Sequence, residues 1–279
     1  MKKNLTTAVG TVLYKADKEI LQDFIKSVNW QSDQGFDLLV VNDNAETSDL
    51  EYLSQHVENN LLISDACKDS LPYQNRIDLL RMAKKDQYDL LILIDFDDLM
   101  NTDRIYEYKR QYDSDHAFFY NNLKISTGET VFNSLPETVK WGDVLESNFL
   151  GLSNTGINLE KLDMPFIDSL SEGNTPVFDW YLYERILLEN KTGKRIDHTW
   201  TEYKIYENNI AGIHQSARKE IEVKREHYAL LKDYHEIYVY LYKQYSQIDS
   251  SDKDDKIKET FHNGYWWENI KLLERNTVK

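Results

Sequence analysis

Three carboxylates in four positions, Asp95-Phe96-Asp97-Asp98, close the apolar run Leu90-Leu91-Ile92-Leu93-Ile94. Carboxylates this close repel one another and hold their protons more tightly unless a cation compensates. Hard oxygen donors at the end of a strand suit Mg2+ or Mn2+, which would in turn bind the oxygens of a substrate phosphate. Composition alone can produce such a spacing, because 48 of the 279 residues are Asp or Glu. Asp113-Ser114-Asp115 and Asp252-Lys253-Asp254 share it, but both lie in polar stretches with no strand in front and read as solvated turns. The buried strand distinguishes Asp95 and Asp97, since alternate side chains along it project the same way.

The elements around this cluster define its position. Residues 7–14 (TAVGTVLY), 36–43 (FDLLVVND), 59–64 (NNLLIS) and 88–95 (YDLLILID) are short and apolar without polar alternation, as buried parallel strands are. Helices are expected between them. The first covers 18–29 behind Asp17, with Ile20, Leu21, Phe24, Ile25 and Val28 at helical spacing; the others fall at 47–56 and 73–85. Strands alternating with amphipathic helices imply an α/β fold with a mostly parallel sheet covered on both faces. Ligands bind such sheets beyond the carboxyl ends of the strands, where both Asp43 and the Asp95 cluster fall.

After residue 100 the order changes. A helix at 103–112, a strand at 116–123, a hairpin turn at Gly128 and a strand with a short helix within 149–162 are expected. A helix follows at 179–190, and from 216 the chain reads as helical almost to its end, with a last helix over 256–274. Tyr228, Leu231, Tyr234, Tyr238, Leu241, Tyr242 and Tyr245 form a stripe at helical spacing, which suits core packing first and a dimer surface second. The expected division is 1–100 as a nucleotide-binding half, 101–215 as an acceptor-side half, and 216–279 as a C-terminal helical extension.

The net charge of −15 repels nucleic acid and anionic lipid, which excludes a general nucleic-acid-binding role, although a local cation can reverse the sign within one cleft. Cys67 stands alone, so no intrachain disulfide and no cysteine-based zinc site can form. No apolar leader occupies 1–7, and no stretch approaches the roughly 20 apolar residues of a transmembrane segment. These features lead us to expect a cytoplasmic protein, peripheral at most to the inner membrane face.

The motifs, in this order, resemble those of the family 2-type glycosyltransferases of the GT-A (Rossmann-like) fold. The matching segments are SVNWQS (27–32), VNDNAETSD (41–49), Asn75-Arg76 in YQNRIDLLRMA, IDFDD (94–98), FLGLSNTGINLEKL (149–162), VFDWYLYERIL (177–187) and YKIYENNIAG (203–212). The resemblance spans roughly residues 6–215. It departs from the family pattern at three places: Phe178 stands where an acidic residue usually precedes the catalytic Asp, Lys204 where Arg is common, and Tyr206 where His is common.

The resemblance implies metal-dependent transfer of a sugar, with inversion of configuration, from a nucleotide-sugar donor, UDP-sugar favoured, to a glycan or lipid-linked glycan acceptor of polysaccharide biosynthesis. Asp97 would ligate Mn2+ or Mg2+, Asp95 would contact ribose or metal, and Asp98 would assist, with His214 as an additional ligand. Tyr14 and Asp43 would hold the nucleobase and Arg76 the base or diphosphate. Asp179 would be the general base, with Trp180, Lys204, Tyr206 and Asn209 near the diphosphate or acceptor. Two readings of other kinds compete: a catalytically silent GT-A-like assembly domain, and a haloacid-dehalogenase-like phosphatase using Asp-x-Asp as nucleophile.

Overall fold

The four apolar segments form the expected parallel sheet; three bury alternate side chains on opposite faces, while the third, at the sheet edge, has no fully buried residue. Among the strands β1 (Thr7–Tyr14), β2 (Asp37–Asp43), β3 (Leu61–Asp65) and β4 (Leu90–Leu93), Ala8, Leu39, Val41, Leu91 and Leu93 join one core. Val9, Leu13, Leu38, Val40, Leu90 and Ile92 join the other. The structure, a computed structural model, describes residues 5–15, 17–204, 216–248 and 263–273.

Helix α1 (Lys18–Asn29) covers one face with Leu21, Phe24, Ile25 and Val28. Helix α2 (Thr47–His56) links β2 to β3, and α3 (Pro72–Lys85) covers the opposite face with Ile77, Leu80 and Ala83. Gln31, in the first segment of family resemblance, donates to Ser27 O and Asn101 O and accepts from Ile105 N–H. It fastens the end of α1 to the turn before α4 (Arg104–Gln111).

Beyond residue 98 the sheet turns mixed. The strands are β5 (Leu99–Met100), β6 (Phe118–Lys124), β7 (Thr138–Val139), β8 (Thr155–Asn158) and β9 (Gly193–Glu202). The order among the described residues is β3-β2-β1-β4-β8-β6-β9-β5, with β7 also on β9. β8 lies antiparallel between β4 and β6, so the strands beyond residue 98 join the parallel strands in one continuous sheet. Gly128 occupies the expected hairpin turn at φ +88°, where a side chain would be strained.

Helices α5 (Met164–Ser169) and α6 (Phe178–Leu188) pack on the α3 face, followed by α7 (Ala217–Leu231) and α8 (Glu236–Ser246). The tyrosine stripe divides. Tyr228, Leu231, Tyr238, Leu241 and Tyr245 are core, while Tyr234 and Tyr242 are 38% and 36% exposed. The expected last helix is absent from residues 263–273, which form an extended strap bridged to Asn148 through Trp266. Among the described residues no helix is long and apolar enough to cross a membrane.

Candidate active site

A cleft of about 290 Å³ opens beyond the carboxyl ends of β1 and β4, and Tyr14, Arg76, Asp95, Asp97, Asp98, Asp179 and Lys204 all line it. β4 stops at Leu93, so Asp95–Asp98 form a turn, closed by Asp98 N–H donating to Asp95 O at 3.0 Å. The turn, rather than strand alternation, brings Asp95 and Asp97 to the cleft.

Asp95 is held from two sides. Its N–H donates to Ser153 Oγ at 2.9 Å, and the Ser153 hydroxyl donates back to Oδ2 at 3.3 Å. Arg76, projecting from α3, forms an ion pair with Oδ1 at 3.5 Å. Burial, and then the neighbouring Asp95 charge, push Asp97 up to about 6, while Lys204 and Arg76 oppose the shift. Asp98, expected to assist at a metal, lines the cleft but is only 2% exposed, and its Oδ1 accepts the Lys204 N–H at 2.9 Å. It fastens the chain at Lys204 onto the carboxylate turn. The charge of Arg104, buried beneath the turn and bonded to Leu93 O and Thr155 O, acts on Asp98.

Among the described residues no three His, Cys, Asp or Glu side chains converge as a ready metal cage. Two carboxylates, one of them short of compensating charge, nevertheless fit Mg2+ or Mn2+, which commonly takes one or two protein carboxylates and fills its other positions with water and phosphate oxygens. His214, Tyr206 and Asn209 lie outside the described residues.

Asp179 faces the carboxylate turn from the first turn of α6. Val177 occupies the N-cap position without a side-chain cap bond, so Asp179 is not the cap of its helix. Its Oδ2 accepts from Asn148 Nδ2 at 3.4 Å. Burial raises its carboxyl to about 6 against the lowering effects of the Trp180 N–H and the Arg76 charge. An apolar surround thus does what the missing acidic neighbour at Phe178 would have done, keeping the carboxylate basic.

Two expected residues stand outside the cleft wall, and a third, Lys204, lines it while tied to α1. Asp43 ends β2 in register with Tyr14, but it does not line the cleft itself. Trp180 is core: fully buried, it donates its indole N–H to Val144 O and stacks on His227 at 4.2 Å. Lys204 forms an ion pair with Asp23 at 3.7 Å, and so bridges α1 to the cleft rim. Ser153, Tyr203, Trp266 and Trp267 line the cleft without having been singled out from sequence. Ser153 and Tyr203 lie inside the segments 149–162 and 203–212 of family resemblance, and the adjacent pair Trp266-Trp267 was the available signal for the other two. The decoy Asp113 is a structural turn residue, accepting from the Asp115 and His116 amides and from Lys194 Nζ, which hold it down at about 2.

Structural comparison aligns most of this chain with solved glycosyltransferases. The fold is GT-A. S. aureus TarS 1–349 in complex with UDP-GlcNAc matches with a TM-score of 0.60 at 14% identity, covering 87% of this chain and 72% of that one. The mannosyltransferase PcManGT from Pyrobaculum calidifontis, in complex with GDP-Man and Mn2+, matches with a TM-score of 0.56 at 10% identity, covering 87% and 73%. Against a longer S. aureus TarS chain, the match covers 82% of this chain but only 40% of that one, with a TM-score of 0.56 at 15% identity. No protein-family model matches the sequence, and no curated protein does.

Proposed function

We propose that this GT-A chain transfers a sugar from a nucleotide-sugar donor, with UDP-sugar favoured, to a hydroxyl of a glycan or lipid-linked glycan, inverting the anomeric centre. The observation that carries this reading is the placement of Asp179 in the same cleft as Asp95 and Asp97. One carboxylate pair sits where a diphosphate and cation would lie, and a separate carboxylate from α6, itself raised to about 6 by burial, lines the same cleft. Two GT-A structures of matching fold contain UDP-GlcNAc or GDP-Man with Mn2+, consistent with such a donor site.

In this reading Tyr14, packed edge-on against Phe96 at 4.5 Å, borders the nucleoside, and Asp43 beside it accepts from the base. Arg76 shifts between Asp95 and the diphosphate. Mg2+ or Mn2+ held by Asp97 and Asp95 would offset charge on the departing diphosphate. Asp179 accepts the proton of the acceptor hydroxyl as its oxygen attacks the anomeric carbon from the face opposite the leaving group. Asn148 orients Asp179.

The test is a thermal-shift screen of UDP- and GDP-sugars with and without Mn2+, followed by donor turnover. A Mn2+-dependent rise in melting temperature that Asp97→Ala removes is expected, because a ligand bound to the folded state stabilises it. Binding without any turnover would instead favour the catalytically silent domain.

A further inference from the structure

The strap at 263–273 is fastened to the body of the protein by buried charges that the proposed chemistry does not use. Glu220 and Lys224, both fully buried on α7, pair at 2.9 Å. Glu220 Oε1 accepts from Ile270 N–H at 2.8 Å, and Oε2 accepts from Asn269 Nδ2 at 2.8 Å. Lys224 donates to Ile270 O. Glu146, 6% exposed, accepts from Leu272 N–H at 2.7 Å, Leu273 N–H at 2.8 Å and the Tyr245 hydroxyl at 2.8 Å. Buried charges are costly unless each is paired and hydrogen-bonded. Here that requirement is met largely by the strap backbone, which fixes the strap in one position.

That position puts Trp266 and Trp267 in the cleft wall. Trp267 packs with Val177, the residue before α6. Trp266 pairs with Asn148 through both backbone groups, at 2.8 and 2.9 Å, and its ring lies over Gly151, where an added Cβ would come within 2.8 Å. The side chain of the same Asn148 reaches Asp179. The aromatic wall and the candidate base therefore share a neighbour, whereas Tyr14, Arg76 and Asp95 on the donor side come from β1, α3 and the end of β4.

We infer that the strap is the acceptor wall of the cleft, with Trp266 the surface on which a sugar ring of the acceptor rests, and Glu146, Glu220 and Lys224 the positioning residues that hold it. This rests on the glycosyltransferase reading. A pyranose presents an apolar C–H face that an indole ring covers, and ligand clefts are lined mainly by apolar and aromatic side chains, with a few polar groups fixing orientation. An acceptor on Trp266 places its hydroxyls beside Asp179.

The full-length protein and its Trp266→Ala, Trp266→Phe and Gly151→Ala variants are tested on an immobilised carbohydrate array with labelled UDP- and GDP-sugars and Mn2+. Donor cleavage by water is measured in parallel without the array, and melting temperature reports folding. Trp266→Ala should reduce labelling of the array about tenfold, the scale of one lost aromatic contact, through acceptor KM. Donor KM should be little changed, and Trp266→Phe should restore most of the labelling. Gly151→Ala, whose backbone is compatible with alanine but whose Cβ would displace the ring, should act like Trp266→Ala. If Gly151→Ala fails to fold, the two Trp266 variants still decide. Equal losses in water cleavage and array labelling, no loss in either, or a wild-type protein that cleaves donor yet labels no carbohydrate would each overturn the acceptor wall. A wild-type protein that cleaves no donor would sink the glycosyltransferase reading instead, and the acceptor wall with it.

Discussion

The two halves of the cleft are built in opposite ways. The proposed donor side comes from residues 14–98, in which strands alternate with helices and the parallel neighbours β1, β2 and β4 deliver their ends to one edge. The acceptor side gathers Asn148, Asp179, Tyr203 and Trp266 from separate segments, joined by β-bridges, irregular turns and buried charge. Local periodicity therefore specifies the first wall. The second depends on contacts distant in sequence, so substitutions in the two walls should fail in different ways.

The largest effect should come from Asp179→Asn, with kcat falling roughly 10²–10⁴-fold, the usual share of a general base. Metal-dependent donor binding should survive. At saturating Mn2+, which would keep Asp97 ionised, wild-type kcat/KM should rise with pH through about 6 as Asp179 loses its proton, and the variant should lose that limb. A variant that also lost donor binding would break the division between the walls.

Asp97→Ala should reduce turnover by about 10²–10³-fold, on the scale of removing one preorganised electrostatic partner, and should abolish the Mn2+-dependent thermal shift. Isothermal titration with Mn2+ and UDP checks both. Retained metal-dependent binding would remove Asp97 from the metal site.

Two ion pairs of identical spacing on α7 sharpen the comparison further. Lys224–Glu220 is fully buried beneath the strap, whereas Arg218–Glu222 has side chains 72% and 43% exposed. Lys224→Met should cost about 3–5 kcal/mol in denaturant unfolding, because it leaves Glu220 charged and unpaired in the interior. Arg218→Ala should cost less than about 0.5 kcal/mol, as exposed pairs do.

The smallest effect concerns stability against pH. Asp179 binds its proton more tightly when folded, about 6 against an ordinary 3.8. Between those values the folded state holds more protons than the unfolded one, so this group's contribution to stability falls as pH rises from 3.8 to about 6 and is flat above. Asp179→Asn should therefore melt a few degrees higher than the wild type at pH 7.5, a gap that closes below pH 4.

The same contrast sets how much was legible in the sequence. The strand end at Asp43 followed from its apolar run, the strand before the Asp95 cluster followed likewise but stops two residues earlier, at Leu93, and the GT-A fold followed from motif order. β9 was missed because GKRIDHTWTE mixes charge with β-formers; it pairs with three other strands regardless. Trp180 matched a motif position, but its side chain turns into the core, and spacing does not encode that direction. The strap escaped notice because Glu146, Glu220 and Lys224 look like surface residues until the fold brings them together.

The link from Glu146 to Leu272 spans 126 positions of chain. Closing so wide a loop has a high entropic cost and comes late in folding, since nonlocal pairings wait on the contacts that bring their ends together. A newly made chain would thus acquire its donor wall first and its acceptor wall afterwards. Refolding monitored at Trp266 should lag behind refolding monitored at the parallel sheet.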